Sequence, residues 1–220
     1  MISHRLKAIF IHLTKTAGSS IEVAMDAVEQ KNKGTTDPAT GEHVNVVTGD
    51  EKHLSARACQ QVVGDDAWNE YYKFTVVRNP WDRIHSLWWN GRYVGNRHDL
   101  ELPEFTRYFL ERSLAGKLRG LLQGRLRIHQ RFWPQIEFLR SANGKVEMDK
   151  ICRFESIDED FAEVADRIGL PSRELPKILV KNRAPSSRHF YADDYDDKTR
   201  AIITDVYRDD IREFGYRFGE

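Results

Sequence analysis

The sequence predicts a single α/β domain over residues 1–220, built on a mostly parallel sheet with helices on both faces. A length of 220 residues fits one large domain with a substantial core. Short, continuously apolar segments alternate with segments of helical periodicity, which is typical of parallel sheets. Twice, an apolar segment leads directly into a helix start. Ligands of α/β proteins bind at such carboxyl ends of strands, so these two junctions are the candidate sites.

The first junction is the segment AIFIHLTKTAGSSIE at residues 8–22. Residues 7–12 predict a buried strand, and apolar residues recur at helical spacing from Ile21 onward. Ser19 followed by Glu22 fits a capping box, which predicts that the helix starts there. A helix N-terminus presents unpaired N–H groups and a partial positive charge. The segment therefore predicts a loop that binds an anion.

The loop supplies the groups that a phosphate needs. Gly18 allows close approach of the backbone, Lys15 adds a positive charge, and the further donors are the N–H groups and hydroxyls of Thr16, Ala17, Ser19 and Ser20. Lys15 precedes the glycine, however, whereas the lysine of a triphosphate-binding P-loop follows it. No apolar strand ends in an Asp that would hold Mg²⁺. Both features count against a kinase or NTPase, which stays one alternative interpretation. A plain capped helix with a solvated lysine is the other alternative.

Between the two junctions the sequence predicts one further helix. Residues 31–45 are polar and rich in Gly, Pro and Thr, which is typical of a long loop. Residues 44–47 fit a short strand. A helix is expected to start at Ser55 and to run to about Val63.

The second junction is the segment YKFTVVRNPWDRIHSLWW. Phe74 to Val77 predict a strand, Asn79 is a natural N-cap, and Pro80 stands at the first helical position, where its missing N–H costs nothing. Arg78 emerges from the core strand and needs a partner, because an unpaired buried charge is expensive. A phosphate bound by two hydrogen bonds is one such partner, and the carboxylate of Asp82 is the other.

The rest of the chain continues the alternation. Residues 103–140 fit two or more helices, and residues 149–155 fit a third buried strand. A helix is expected from Ile157 to Ile168. Residues 181–197 predict an irregular loop, and an amphipathic helix from Lys198 to Phe214 closes the chain.

Charge and composition exclude several classes of protein. The chain has 34 basic and 34 acidic residues, and it has no aromatic RNA-binding motif, so no nucleic-acid partner is expected. Residues 78–140 carry a local excess of six positive charges, which fits either a solvated surface or a basic face over an anionic ligand. Cys59 and Cys152 predict buried free thiols. The N-terminal apolar run is too short for a signal peptide or membrane anchor, so we expect a cytoplasmic protein.

Together the two junctions resemble one family. FIHLTKTAGSS resembles the 5′-phosphosulfate-binding loop of the sulfotransferases, especially the carbohydrate (heparan 2-O-sulfotransferase-like) branch. VVRNPWDRIHSLW is similar to their 3′-phosphate-binding segment, in which an Arg and a Ser eight residues later bind the phosphate; here these are Arg78 and Ser86. ICRFESIDEDF and VYRDDIREFGYRF resemble later segments of the family more weakly. The resemblance implies a P-loop-like, three-layer α/β fold.

The resemblance also implies a reaction. The donor would be 3′-phosphoadenosine 5′-phosphosulfate (PAPS), with no metal required, and the acceptor a hydroxyl, with a saccharide favoured. Lys15 would neutralise the leaving phosphate while the loop holds the 5′-phosphate. The family's proposed base is a histidine in a KHLSA-like stretch, here His53, and His12 is the second choice. Arg188, in the late loop, could close over the 3′-phosphate, and a surface loop with nothing bound is the equal alternative. A non-catalytic module that binds an anionic ligand is the remaining alternative, and the sequence leaves the oligomeric state open.

Overall fold

The structure is a computed structural model that describes residues 1–30, 53–94, 99–111, 130–176 and 191–220. The chain divides into two compact units. The first contains residues 1–77 and 138–178, and the second contains residues 78–137 and 179–220. That residues 1–220 form a single domain stays a prediction.

The first unit is built on a four-stranded sheet in the order β1-β2-β3-β4. The strands are β1 (Ile2–Ser3), β2 (Ala8–Ile11), β3 (Tyr72–Val77) and β4 (Lys150–Arg153). Strands β2, β3 and β4 are parallel to one another, whereas β1 pairs antiparallel with β2. The mostly parallel α/β sheet is therefore confirmed. Strand β1 was not predicted, since two residues are too short to show a periodicity.

Both faces of this sheet are buried, which explains the continuous apolar runs of its strands. On one face, side chains of β2, β3 and β4 join the helices at Gly18–Gln30 and Ile157–Ile168 in a core cluster that includes Phe10, Phe74, Cys152, Phe161 and Val164. On the other face, Ile9, Ile11 and Thr75 are fully buried. Cys59 and Cys152 are buried free thiols, as predicted.

Helices of the first unit pack against its sheet, and the second unit also contains helices. In chain order, the helices of the described residues are α1 (Gly18–Gln30), α2 (Ala56–Glu70), α3 (Pro80–Trp89), α4 (Leu102–Thr106), α5 (Gln135–Phe138), α6 (Ile157–Ile168), α7 (Asp197–Val206) and α8 (Arg208–Phe214). None of the helices within these described ranges is both long and apolar enough to cross a membrane.

Three helix starts match the sequence and one does not. Helix α6 has the predicted bounds, Ile157–Ile168. Ser55 caps α2 by accepting from the N–H of Ala58, and Asn79 caps α3 by accepting from the N–H of Trp81. Helix α1 begins at Gly18, so the capping box predicted from Ser19 is wrong: Ser19 lies inside the first turn. The carboxylate of Glu22 pairs instead with His12.

One helix end matches the prediction and one helix is broken. The range of α2 contains two helical segments, because the non-helical Gly64 (φ 78°, ψ 166°) ends the first segment after Val63, as predicted, and a second segment runs to Glu70. The predicted helix from Lys198 to Phe214 is broken at Tyr207, which has φ −108° and ψ 24°. This tyrosine is fully buried and its hydroxyl donates to the carbonyl of Phe132 at 2.9 Å, so a tertiary contact fixes the break. The loop at 31–45 and the strand at 44–47 lie outside the described residues.

Candidate active site

The loop of the first junction holds two residues in the left-handed backbone region. Lys15 has φ 67° and Ala17 has φ 64°, although neither is a glycine. Each such residue costs about 1–2 kcal/mol. Alternation of right- and left-handed residues turns successive N–H groups toward one side, which forms a concavity suited to an anion. Strain of this kind is typical of ligand-binding loops.

The polar side chains of the loop point in different directions. The hydroxyl of Thr16 is turned inward, where it donates to the carbonyl of Leu13 at 2.9 Å. Ser20 is buried, whereas Lys15 and Ser19 are partly exposed. The carbonyl of Ala17 accepts from the N–H groups of Ser20 and Ile21 and starts α1. Lys15 and Ser19 are therefore the side chains of this loop that a ligand reaches most readily.

Directly beneath the loop lies the imidazole of His12, which is 4% exposed. Its Nδ1 is 2.7 Å from Oε1 of Glu22, and its ring stacks on Phe10 with centroids 5.5 Å apart. A Cβ added at Gly18 would lie 2.0 Å from both Cδ2 and Nε2 of this ring. Gly18 thus lets the start of α1 lie against a histidine ring, a contact that the sequence did not reveal. Its close approach to an anion stays a prediction.

His53 lies against the same histidine. The two rings are 4.4 Å apart between centroids, and Nδ1 of His53 is 3.1 Å from the main-chain carbonyl oxygen of His12. A carbonyl only accepts, so this Nδ1 donates its proton. In the neutral ring, Nε2 of His53 is then the basic nitrogen. The structure therefore brings His53 and His12 together in the first unit and assigns them different hydrogen-bonding roles.

The second junction, in the second unit, is centred on Arg78. Its Nε donates to Oδ2 of Asp82 at 2.7 Å and its Nη2 donates to Oδ1 at 2.8 Å. Of the two partners that the sequence left open, the carboxylate is thus present. Ser86 lies two turns into α3 and is partly exposed. Arg188 lies outside the described residues.

A buried polar network holds the backbone at Arg78. Gln135 accepts from the N–H of Arg78 at 3.0 Å and donates to its carbonyl at 2.9 Å, so the side-chain amide pairs as a neighbouring strand would. Asp210 in turn accepts from the N–H groups of Gln135 and Ile136 at 2.7 and 2.8 Å. Burial raises the pKa of the Asp210 carboxyl, against the lowering effect of these N–H donors. Both side chains of the network are fully buried.

Neither Gln135 nor Asp210 was predicted as a site residue. They lie 57 and 132 positions after Arg78, and neither stands in a motif that marks a partner. Only an unusual feature, a polar residue within an apolar helix face, could have pointed to Asp210. The sequence therefore found the two junctions but not their supports.

The family assignment follows from comparison with known proteins. Residues 1–217 match the profile described as "Sulfotransferase family". The chain belongs to the sulfotransferase family. The family members are transferases of sulfuryl groups, which agrees with the anion-binding role predicted for the loop after β2. Searches of curated proteins and of solved structures gave no match.

Proposed function

We propose that this family member transfers the sulfuryl group of PAPS to an acceptor hydroxyl, with a saccharide as the preferred class of acceptor. One observation carries the proposal: a lysine-bearing, left-handed loop opens α1 in a chain whose residues 1–217 match the family. The likeness of the two junctions to the carbohydrate branch supports the choice of acceptor. Sulfuryl transfer needs mainly positioning and charge stabilisation from the protein, as phosphoryl transfer does.

The loop would bind the 5′-phosphosulfate. The N–H groups of residues 16–20 and the N-terminus of α1 supply donors and positive potential. Lys15 would stabilise the negative charge that develops on the bridging oxygen as the sulfur–oxygen bond breaks. In the second unit, Arg78 and Ser86 would bind the 3′-phosphate, and Arg188 would contact it from the late loop. Asp82 would then share the guanidinium of Arg78 with that phosphate.

The base would be His53. Its Nδ1 donates to the carbonyl of His12, so Nε2 of the neutral ring accepts the proton of the acceptor hydroxyl. The acceptor oxygen forms the new bond to sulfur, and the 5′-phosphate leaves as part of adenosine 3′,5′-bisphosphate. His12 suits this role less well, because its ring is buried and its Nδ1 is paired with Glu22.

Calorimetry tests the choice of donor. We expect adenosine 3′,5′-bisphosphate to bind equally well with and without Mg²⁺, and more tightly than ATP with Mg²⁺. Binding of ATP that requires Mg²⁺, with no binding of the bisphosphate, would favour a kinase or NTPase instead. A panel of saccharide, small alcohol and peptide tyrosine acceptors with labelled PAPS then identifies the acceptor. Ligand binding without transfer to any acceptor would favour the non-catalytic module.

The histidine is tested in the same assay. His53→Asn should lower turnover by roughly 10²–10⁴-fold, which is the usual contribution of a general base. In the unsubstituted protein the rate should rise with pH as the base loses its proton, and this ascending limb should be absent in the variant. A variant that keeps both the rate and the limb would rule out His53 as the base.

A further inference from the structure

The imidazole of His12 makes contacts that a ring buried only for packing would not require. It pairs through Nδ1 with the carboxylate of Glu22, and its ring lies against those of Phe10 and His53. Burial of a polar ring without a partner costs free energy, and here one carboxylate oxygen, at 2.7 Å, satisfies Nδ1. The pairing also fixes the orientation of the ring. With Nδ1 directed at Glu22, the opposite edge, which carries Cδ2 and Nε2, is directed at Gly18.

That opposite edge lies against Gly18. A Cβ at this position would come within 2.0 Å of Cδ2 and Nε2 of His12 and within 2.7 Å of Cε1. Contacts below 3 Å between such atoms do not occur without displacement, so the ring determines how closely the first residue of α1 approaches β2. The φ angle of Gly18 is not positive, so the backbone itself would accept an alanine.

The main chain of His12 acts on a second group. Its carbonyl accepts from Nδ1 of His53, which selects the tautomer in which Nε2 carries the lone pair. One residue therefore contacts the loop through its side chain, and it contacts the other histidine through both its ring and its main-chain carbonyl. Both contacts lie within the first unit.

We propose that His12, held by Glu22, is a positioning residue. It sets the distance between the anion-binding loop and β2, and it sets the tautomer of His53. The two structural effects follow from the contacts of the first unit, and their importance for catalysis rests on the proposed function. His12 itself does not touch the reacting atoms in this proposal.

The first experiment measures how the contact between Gly18 and His12 affects ligand binding. Gly18→Ala should weaken the binding of adenosine 3′,5′-bisphosphate by about tenfold or more, because the added methyl collides with the ring of His12. In the double variant Gly18→Ala/His12→Asn, the shorter side chain keeps a donor for Glu22 but vacates the space beneath the loop. We expect the double variant to recover most of the lost affinity in calorimetry. Equal losses in the single and double variants would overturn the steric coupling.

The second experiment measures the tautomer. In ¹⁵N-histidine NMR spectra at a pH where the ring is neutral, His53 of the unsubstituted protein should carry its proton on Nδ1. His12→Ala keeps the main-chain carbonyl but removes the ring that lies against His53, 4.4 Å away between centroids, so His53 should no longer be held at the carbonyl and should shift toward a mixture of tautomers. Glu22→Ala only loosens the ring of His12, so its effect should be smaller. Glu22→Gln, which keeps an oxygen acceptor, should resemble the unsubstituted protein. An unchanged His53 tautomer in both alanine variants would overturn the positioning role.

A matched control comes from the second unit. His85 is also buried and also pairs with a carboxylate, since its Nε2 is 2.6 Å from Oδ2 of Asp194. His85→Ala should lower the melting temperature about as much as His12→Ala and leave the tautomer of His53 unchanged. If both variants disturb His53 alike, the effect is one of general destabilisation and the proposal fails.

The outcomes also separate this inference from the proposed function. If the unsubstituted protein does not bind adenosine 3′,5′-bisphosphate, the proposed donor is wrong, whereas the NMR measurement still tests the positioning of His53. If the bisphosphate binds but His12 variants leave both His53 and the Gly18→Ala defect unchanged, the donor stands and the positioning role is overturned.

Discussion

The two strand-to-helix junctions hold their backbones in different ways. At the first, Lys15 and Ala17 adopt left-handed conformations that cost free energy. At the second, Asn79 caps the helix and Pro80 takes the first helical position, so the backbone is unstrained and locally encoded. In the proposed function, the first junction would therefore bind an anion mainly with its backbone, whereas the second would use a side chain, the guanidinium of Arg78.

The two junctions also differ in the side chain that supports each backbone. Beneath the first lies an aromatic ring, that of His12, which limits the approach of Gly18 by contact. Behind the second lies an amide, that of Gln135, which pairs with both backbone groups of Arg78. The comparison indicates that a strained loop needs a rigid surface beneath it, whereas an extended residue needs hydrogen-bonding partners.

Removal of the first junction's charge should have the largest effect. Lys15→Ala should lower turnover by roughly 10²–10³-fold, because the lysine acts on charge that develops only in the transition state. The dissociation constant of adenosine 3′,5′-bisphosphate should change far less. Lys7→Ala is the matched control, since Lys7 is an exposed lysine that also has a positive φ and pairs with Glu70. Normal turnover of Lys15→Ala would contradict the mechanism.

Removal of the second junction's charge should affect binding instead of chemistry. Arg78→Ala should weaken the binding of adenosine 3′,5′-bisphosphate by about 10–100-fold, which corresponds to the free energy of one charged hydrogen bond. Adenosine 5′-phosphate, which has no 3′-phosphate, should bind as before. Calorimetry with both nucleotides makes the comparison, and Arg208→Ala, at an exposed arginine, is the control. Equal losses for the two nucleotides would mean that Arg78 acts only through the local fold.

Disruption of the second support should appear in stability. Gln135→Ala leaves the buried N–H and C=O of Arg78 without this partner, which should lower the free energy of unfolding by about 1–3 kcal/mol. Gln60→Ala removes a similar amide-to-backbone bond at a partly exposed position. Its effect should stay within about 0.5 kcal/mol. Urea denaturation measures both, and a loss of equal size in the two variants would argue against the buried network as the support.

Relief of strain in the first loop should have the smallest effect. Ala17→Gly removes the left-handed cost but adds chain entropy to the unfolded state, so we expect a gain in unfolding free energy of up to about 1 kcal/mol. Ala24→Gly, inside α1, should instead lose about 1 kcal/mol. Thermal denaturation of the pair gives the sign of each change. A destabilising Ala17→Gly would show that the left-handed conformation is not strained.

Much of the fold followed from the sequence, for local reasons. Strands β2, β3 and β4 were found because strands buried on both faces read as continuous apolar runs. The start of α3 was found because Asn79 and Pro80 carry their preferences in the chain itself. The start of α1 was misplaced, because the Ser19 and Glu22 pattern fits a capping box whereas Glu22 pairs with a residue ten positions earlier.

For the candidate site, the sequence by itself predicts where the anion-binding groups lie, since loop, lysine and helix start are adjacent along the chain. The family match over residues 1–217 shows the family, and the roles of these residues stay predictions. Only the tertiary structure decided how these groups are held: which nitrogen of His53 carries the proton, why Gly18 has no side chain, and what pairs with the backbone of Arg78. Local preferences act over a few residues, whereas these contacts join residues that are distant in sequence and meet only when the sheet and its helices pack.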